Sequence, residues 1–332
     1  MTPAILRPCL KRRLLVLLFC LTATACFILG VCVSVVILEP ERSGLRCSES
    51  KQSEPDGPEY KLVVLVLTAP DNVERRDTLR ATWLRPRGGS PPPARHWFVL
   101  GGAALPSEQH SRLLAEQSRH GDLLILPHVT DAYTQLTEKV LAAFVWLGAH
   151  SRHQYVMKCD DDTFARLGPL LTELELAPRS RFYMGFFDGR ARPRRTGKWA
   201  EPSWDICDLY LPYALGGGYI LSSDLVSYLA TAAPHLRRFN SEDVSVGAWL
   251  SPLAIERRHD PRFDTEWESR GCDNRHLVTH KHNVAQMTEM QRTLERRGVL
   301  CDKEKRVRGS YVYNASVPPS QCCKRVTDTS LP

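Results

Sequence analysis

The chain has 332 residues, a formal net charge of +7 and 43% apolar residues, a balance that excludes an intrinsically disordered polymer and is ample for a large buried core. Its positive charge is spread along the sequence instead of being gathered in one tract. That distribution argues against nucleic acid as a partner and leaves polyanionic or phosphorylated substrates as the class a diffuse basic surface suits.

Residues 1–13 form a short basic tail containing Arg7, Lys11, Arg12 and Arg13. Residues 14–38 carry no charged side chain, and a run of that length crosses a hydrocarbon core as a helix. It ends Val35-Val36-Ile37-Leu38-Glu39-Pro40 without a small-residue cleavage site, so an uncleaved transmembrane anchor is expected in place of a removable signal peptide. Basic charge before the span keeps the tail cytosolic and sends the remainder into a lumen, a single-pass type II arrangement. Residues 39–59, rich in Pro, Ser, Gly and charge, read as a flexible luminal stem. The folded luminal domain is expected over residues 60–332.

That topology divides the cysteines. Cys9, Cys20, Cys26 and Cys32 fall in the tail and anchor, where acylation or packing is expected. Cys207, Cys272, Cys301, Cys322 and Cys323 fall in an oxidising compartment and match no zinc-site spacing, so disulfides are the default. Cys159 reads as a free core thiol, because no base adjoins it.

Within the domain, Leu62–Leu67 is a continuous apolar run, as in a strand covered on both faces. Thr68-Ala69-Pro70-Asp71-Asn72 makes a turn and cap before a helix over Glu74–Leu84. Strand–turn–helix openings place ligands at the carboxyl end of the strand, within reach of Arg75, Arg76 and Arg80, whose guanidinium groups suit diphosphate oxygens. A solvated basic helix face is the competing reading. His96–Gly101 is expected as a strand, Ser107–His120 as a helix closed by Gly121, and Asp122–Leu126 as a third strand. Ala132–His150 has the spacing of a long amphipathic helix. Repeated strand–helix units imply an α/β architecture with a mostly parallel central sheet flanked by helices.

The next apolar run, Tyr155–Cys159, ends in Asp160-Asp161-Asp162. Adjacent carboxylates repel one another and suit a hard cation such as Mg²⁺, Ca²⁺ or Mn²⁺. A solvated acidic turn is the alternative. Beyond a strand-like Phe182–Phe187 lies a basic loop, Arg190–Lys198, and then Trp199, Trp204, Tyr210 and Tyr213, which suit either a wall for sugar faces or ordinary core filling. Gly216-Gly217-Gly218 permits close approach of backbone or marks a tight bend. Ser241-Glu242-Asp243 looks like a capped helix start, with a carboxylate base as its functional counterpart. His280 and His282 follow a short apolar run, and surface histidines are the ordinary reading.

Taken in order, Glu74–Trp83, Asp131–Lys139, Lys158–Asp162, Tyr213–Tyr219 and Glu242–Val244 resemble the β-1,3-glycosyltransferase family of the Golgi, glycosyltransferase family 31. The likeness runs from about Tyr60 to Lys281. Leu209–Tyr219, His259–Glu266 and Pro318–Cys323 draw it towards the members that build the glycosaminoglycan linker. The resemblance implies a GT-A type nucleotide-sugar transferase fold in a Golgi membrane protein, UDP-galactose as donor and Mn²⁺ as cofactor. It implies an inverting β-1,3-galactosyl transfer to the galactose of galactosyl-xylose on proteoglycan core proteins. A β-1,3-glycosyltransferase with another donor sugar or acceptor, and a sugar-binding protein without transfer, are the alternatives.

By the same resemblance Asp162 touches the metal, Asp160 and Asp161 hold ribose or sugar, and Asp243 is the catalytic base. His280 completes the metal shell, with His282 close enough to leave that register open. Arg76, Arg80, Lys139 and Gly217 are donor-pocket residues. Leu79 and Cys159 depart from the usual family pattern without removing a reacting group. Asn314-Ala315-Ser316 is an acceptor sequon, so Asn314 is a candidate glycosylation site.

Overall fold

The structure, a computed structural model, describes residues 57–85, 93–326 and 331–332. These belong to one compact unit, Glu54–Pro332. The anchor expected at residues 14–38 lies outside the described residues, as does most of the expected stem. Among the described residues no helix is long and apolar enough to cross a membrane.

The apolar run Leu62–Leu67 forms most of strand β1 (Glu59–Leu67), and all six side chains are buried. A strand covered on both faces needs no polar alternation, which is why the sequence reads as an unbroken apolar run. Helix α1 (Val73–Ala81) follows, then β2 (Ala94–Gly101), α2 (Ser107–His120) and β3 (Leu123–Leu126). Gly121 ends α2 in the left-handed region at φ 63°, a conformation that suits glycine because it lacks Cβ. The long helix expected from Ala132 begins instead with a 3₁₀ turn, Tyr133–Gln135, before α3 (Leu136–His150).

Strand β4 (Arg152–Asp160) leads into the acidic triplet. After β5 (Phe164–Ala165), α4 (Leu167–Glu173) and β6 (Phe182–Asp188) come β7 (Tyr213–Ser222), α5 (Ser223–Ala232), α6 (Glu242–Leu250) and β8 (Glu256–His259). The main sheet runs β3-β2-β1-β4-β7-β6-β8. Four of its pairings are parallel and two, both involving β7, are antiparallel. Because β7 runs against β4, its first residues lie at the edge where β1 and β4 end: Leu67 is level with Asp160, and Cys159 with Gly218. That edge gathers three chain segments far apart in sequence.

A smaller sheet supplies a fourth. Strands β9 (Phe263–Asp264) and β11 (Val278–Thr279) join β5 in the order β5-β11-β9, with Thr279 opposite Phe164. One residue further on, His280 is carried towards the triplet. Strand β10 (Gly271–Cys272) pairs with β12 (Lys305–Arg306), and α7 (Val284–Arg297) lies between them in sequence. Asn283 caps α7 with a reciprocal bond to Gln286, which fixes the exit of the chain from β11.

Several expectations change. Cys272 and Cys301 form a disulfide, but Cys322 and Cys323 are bonded to each other, so that pair does not staple the C-terminal segment to the domain. Cys207, expected in a disulfide, is a free, exposed thiol that donates to its near neighbour Leu209; Cys159 is free and buried, as expected. Trp204, Tyr210 and Tyr213 are buried in a small cluster with Phe239 and Val244. They are core, and only Trp199 of the expected sugar wall is exposed.

Candidate active site

Three carboxylates in sequence cannot share one environment, and the fold separates them. Asp161 Oδ2 accepts from Thr68 Oγ1 and from Asn72 Nδ2, each at 2.7 Å, and Arg75 stands 3.7 Å from its other oxygen. Asn72 occupies the N-cap position of α1 but makes no cap bond; its side chain is spent on Asp161. Asp160 remains partly exposed and accepts from Lys158 Nζ at 2.9 Å. Asp162 Oδ1 is buried without a partner, and burial, then the charge of Asp160, raises its pKa.

His280 presents the matching feature. Its ring is buried, its Nδ1 has no partner, and burial pushes its pKa down to about 4, so the imidazole is neutral. It packs directly on Gly217, where a Cβ would lie 2.7 Å from ring carbons Cγ and Cδ2. Glycine at 217 is therefore what admits the ring, and Thr163 Oγ1 holds the Gly217 carbonyl at 2.7 Å. His282 is committed differently, with Nε2 2.7 Å from Thr279 Oγ1 and its backbone N–H on the Asp162 carbonyl. A buried orphan carboxylate oxygen and a buried neutral imidazole nitrogen are the donor types an Mn²⁺ ion accepts. Among the described residues no group of three or more His, Cys, Asp or Glu is arranged to hold a metal ion.

On the other side of the glycine segment lies Asp243, in the first turn of α6. Its Oδ2 accepts from the Gly216 N–H at 2.9 Å and its Oδ1 from the Val244 N–H at 2.8 Å. Burial raises its pKa, opposed by Lys158 and by those two backbone donors. Glu242 is buried beside it, ion-paired to Lys158 and bonded by Tyr219 OH at 3.0 Å. Burial pushes the Glu242 pKa up to about 7 against the pull of Lys158. Tyr133, half-exposed, is pushed up to about 12 by burial and then by the charges of Asp243, Asp160 and Glu242, which sets it beside this centre. Lys198 lies 4.9 Å over its ring.

The remaining donor-pocket candidates support the edge from behind. Arg76 is fully buried; it donates twice to Glu116, at 2.8 and 2.7 Å, and to the carbonyls of Ala69 and Pro70 at 2.6 and 3.1 Å. Arg80 binds Asp122, Glu116 and Asp77. Lys139 holds the Thr68 carbonyl at 2.6 Å and pairs with Asp131. Arg76 and Lys139 thus fix the loop that carries Thr68 and Asn72, and Arg80 shares Glu116 with Arg76. Arg75, one residue from Arg76, is the arginine of this helix that faces the triplet. Sequence reasoning passed over Thr68, Asn72, Lys158 and Glu242; a lysine inside an apolar strand was the available signal for Lys158. Asn314 is exposed, with its Oδ1 accepting from the Ser316 N–H at 2.9 Å.

The galactosyltransferase family profile matches residues 74–261, which span the triplet, the glycine segment and Asp243. The chain belongs to the galactosyltransferase family. As a member it is a hexosyltransferase. The β-1,3-galactosyltransferase 6 of Mus musculus is 52% identical over 268 residues, covering 80% of this chain and 82% of the mouse protein. The hydroxyproline O-galactosyltransferase GALT2 of Arabidopsis thaliana is 32% identical over 260 residues, 75% of this chain and 37% of its own length. The UDP-GalNAc:β-1,3-N-acetylgalactosaminyltransferase 2 of Xenopus tropicalis is 28% identical over 201 residues, 60% of this chain and 40% of its own.

Proposed function

We propose that this galactosyltransferase is an inverting β-1,3-galactosyltransferase of GT-A type that uses UDP-galactose and acts on the galactose of galactosyl-xylose carried by proteoglycan core proteins. The observation that carries the reading is Asp243, whose two oxygens are each held by one backbone N–H at the sheet edge that also ends in Asp160-Asp161-Asp162. A carboxylate so held keeps lone pairs free for a sugar hydroxyl while its geometry is fixed. The likeness to the mouse β-1,3-galactosyltransferase supports this choice of linkage and sugar.

In this reading Asp243 takes the proton from the acceptor 3-hydroxyl as that oxygen forms a bond to the anomeric carbon. The bond from that carbon to the diphosphate breaks, and its electron pair leaves with UDP. Attack on the face opposite UDP turns an α-linked donor into a β-linked product. Asp161, held by Thr68 and Asn72, and Asp160 orient ribose and sugar. Arg75, half-exposed beside Asp161, faces the diphosphate. Asp162 and His280 would hold Mn²⁺, which supplies Lewis acidity for the charge that develops on the leaving diphosphate.

Residues 1–13 are proposed as a cytosolic tail, residues 14–38 as the anchor in a Golgi membrane and residues 39–59 as the stem. The luminal domain then starts near residue 60, with Asn314 open to glycosylation. The deciding experiment supplies the purified luminal domain with UDP-galactose, a β-galactosyl-xyloside and Mn²⁺, followed by linkage analysis. A β-1,3-linked galactose is expected. Transfer only from another UDP-sugar, or only to another acceptor, would refute the donor or acceptor assignment.

A further inference from the structure

Lys158 lies inside β4, in a strand otherwise apolar from Tyr155 to Cys159, and is fully buried. Burying an ammonium is costly unless it is paired and its donors are used. It donates to Asp160 Oδ1 at 2.9 Å and to the Gly216 carbonyl at 2.6 Å, and it is ion-paired with Glu242 Oε1. Gly216 is the informative partner. Its carbonyl accepts from Lys158 while its N–H donates to Asp243 Oδ2. A Cβ at Gly216 would lie 3.0 Å from Glu242 Oε1 and 3.1 Å from Asp243 Oδ2, so the two carboxylates crowd the same short segment of backbone.

We infer that Lys158 and Glu242 are positioning residues for the base: the Lys158 ammonium, anchored by Glu242 and Asp160, fixes the Gly216 peptide whose N–H holds Asp243. The inference rests on the proposed role of Asp243. Ordinary fold stabilisation needs only that a buried lysine find a carboxylate. Here the chain joins the donor-side carboxylate Asp160 to the base through one peptide group, and Tyr219 OH closes the far oxygen of Glu242.

The charges around Asp243 come from every element packed on it. Lys158 and Asp160 stand on β4, and Glu242 precedes Asp243 on α6. The phenols of Tyr183, Tyr213 and Tyr219 approach from β6 and β7, Tyr210 from the preceding loop and Tyr133 from the 3₁₀ turn. The phenols are neutral at working pH, so Lys158, Glu242 and Asp160 set the local field.

The test is the pH dependence of kcat/KM for galactosyl transfer. Lys158→Met removes the cation and should move the acid limb, which reports Asp243 protonation, up by about one pH unit. Glu242→Gln removes a carboxyl that takes up its own proton near pH 7, so it should move the limb down, but by less. The double variant should bring the limb part of the way back towards wild type while kcat stays depressed, because the Gly216 anchor is gone. Thermal melts establish that each variant is folded, and Glu242→Gln alone decides the matter if Lys158→Met is not. Limbs that stay put, or move the same way in both single variants, would overturn the inference while leaving Asp243 as base. Absence of transfer by the wild-type protein would overturn the functional reading and this inference with it.

Discussion

Arg76→Met separates support of the site from contact with the nucleotide. Arg76 is fully buried, and its guanidinium makes two bonds to Glu116 and one each to the Ala69 and Pro70 carbonyls. Methionine fills much of the same space but leaves Glu116 short of a partner. Breaking a buried pair costs about 3–5 kcal/mol; Arg80 still holds Glu116 Oε1 at 2.7 Å, so roughly 2–4 kcal/mol is expected here. For a domain of this size that lowers the melting temperature by roughly 5–12 °C. Differential scanning calorimetry on the folded domain, beside initial rates over a range of UDP-galactose, reads both quantities. The geometry calls for a large fall in melting temperature and at most a modest rise in donor KM, through loosening of the Thr68–Asn72 loop. An unchanged melting temperature with a donor KM more than tenfold higher would refute the reasoning and put Arg76 on the nucleotide itself.

Other consequences follow from single contacts. Gly217→Ala forces a Cβ against the His280 ring; overpacking of this kind costs about 1–3 kcal/mol, and the Mn²⁺ concentration for half-maximal activity should rise several-fold, whereas an unchanged metal response would remove His280 from the metal site. His259 is held neutral, its pKa pushed down to about 4 chiefly by burial, with Nδ1 accepting from the Phe187 N–H and Nε2 donating to the Tyr311 carbonyl. Unfolded histidine takes up its proton near pH 6.5, so stability should be lost as pH falls from there towards 4, by about 2 kcal/mol at pH 5. Urea unfolding of His259→Gln at pH 7 and 5 should show a shallower loss than wild type, and an equal loss would contradict the assignment.

Much of the sheet is legible in the sequence because burial on both faces leaves an unmistakable mark, as in Leu62–Leu67. The triplet is legible for a different reason: adjacent carboxylates after an apolar strand have few structural explanations. What the sequence hides are choices that depend on partners far along the chain. Arg75 and Arg76 are neighbours on one helix, and only the placement of α2 decides that Arg76 meets Glu116 while Arg75 meets Asp161. Asn72 reads as a cap because its natural alternative, Asp161, follows a strand whose register with β1 no local pattern encodes. Trp204, Tyr210 and Tyr213 look like a sugar-binding wall from composition, yet Phe239 and Val244 cover them. Lys158 is conspicuous as a charge in an apolar strand, but its meaning appears only when α6 delivers Glu242.

The central claim is that Asp243 accepts the proton of the attacking hydroxyl. Its most direct test is Mn²⁺-dependent transfer from UDP-galactose to a β-galactosyl-xyloside by wild type and Asp243→Asn, with donor binding measured on both. Asparagine keeps the size and can still accept from Gly216 or Val244, but it cannot take a proton, so kcat should fall by about 10²–10⁴ with donor affinity retained. An Asp243→Asn protein that turns over near the wild-type rate would contradict the account.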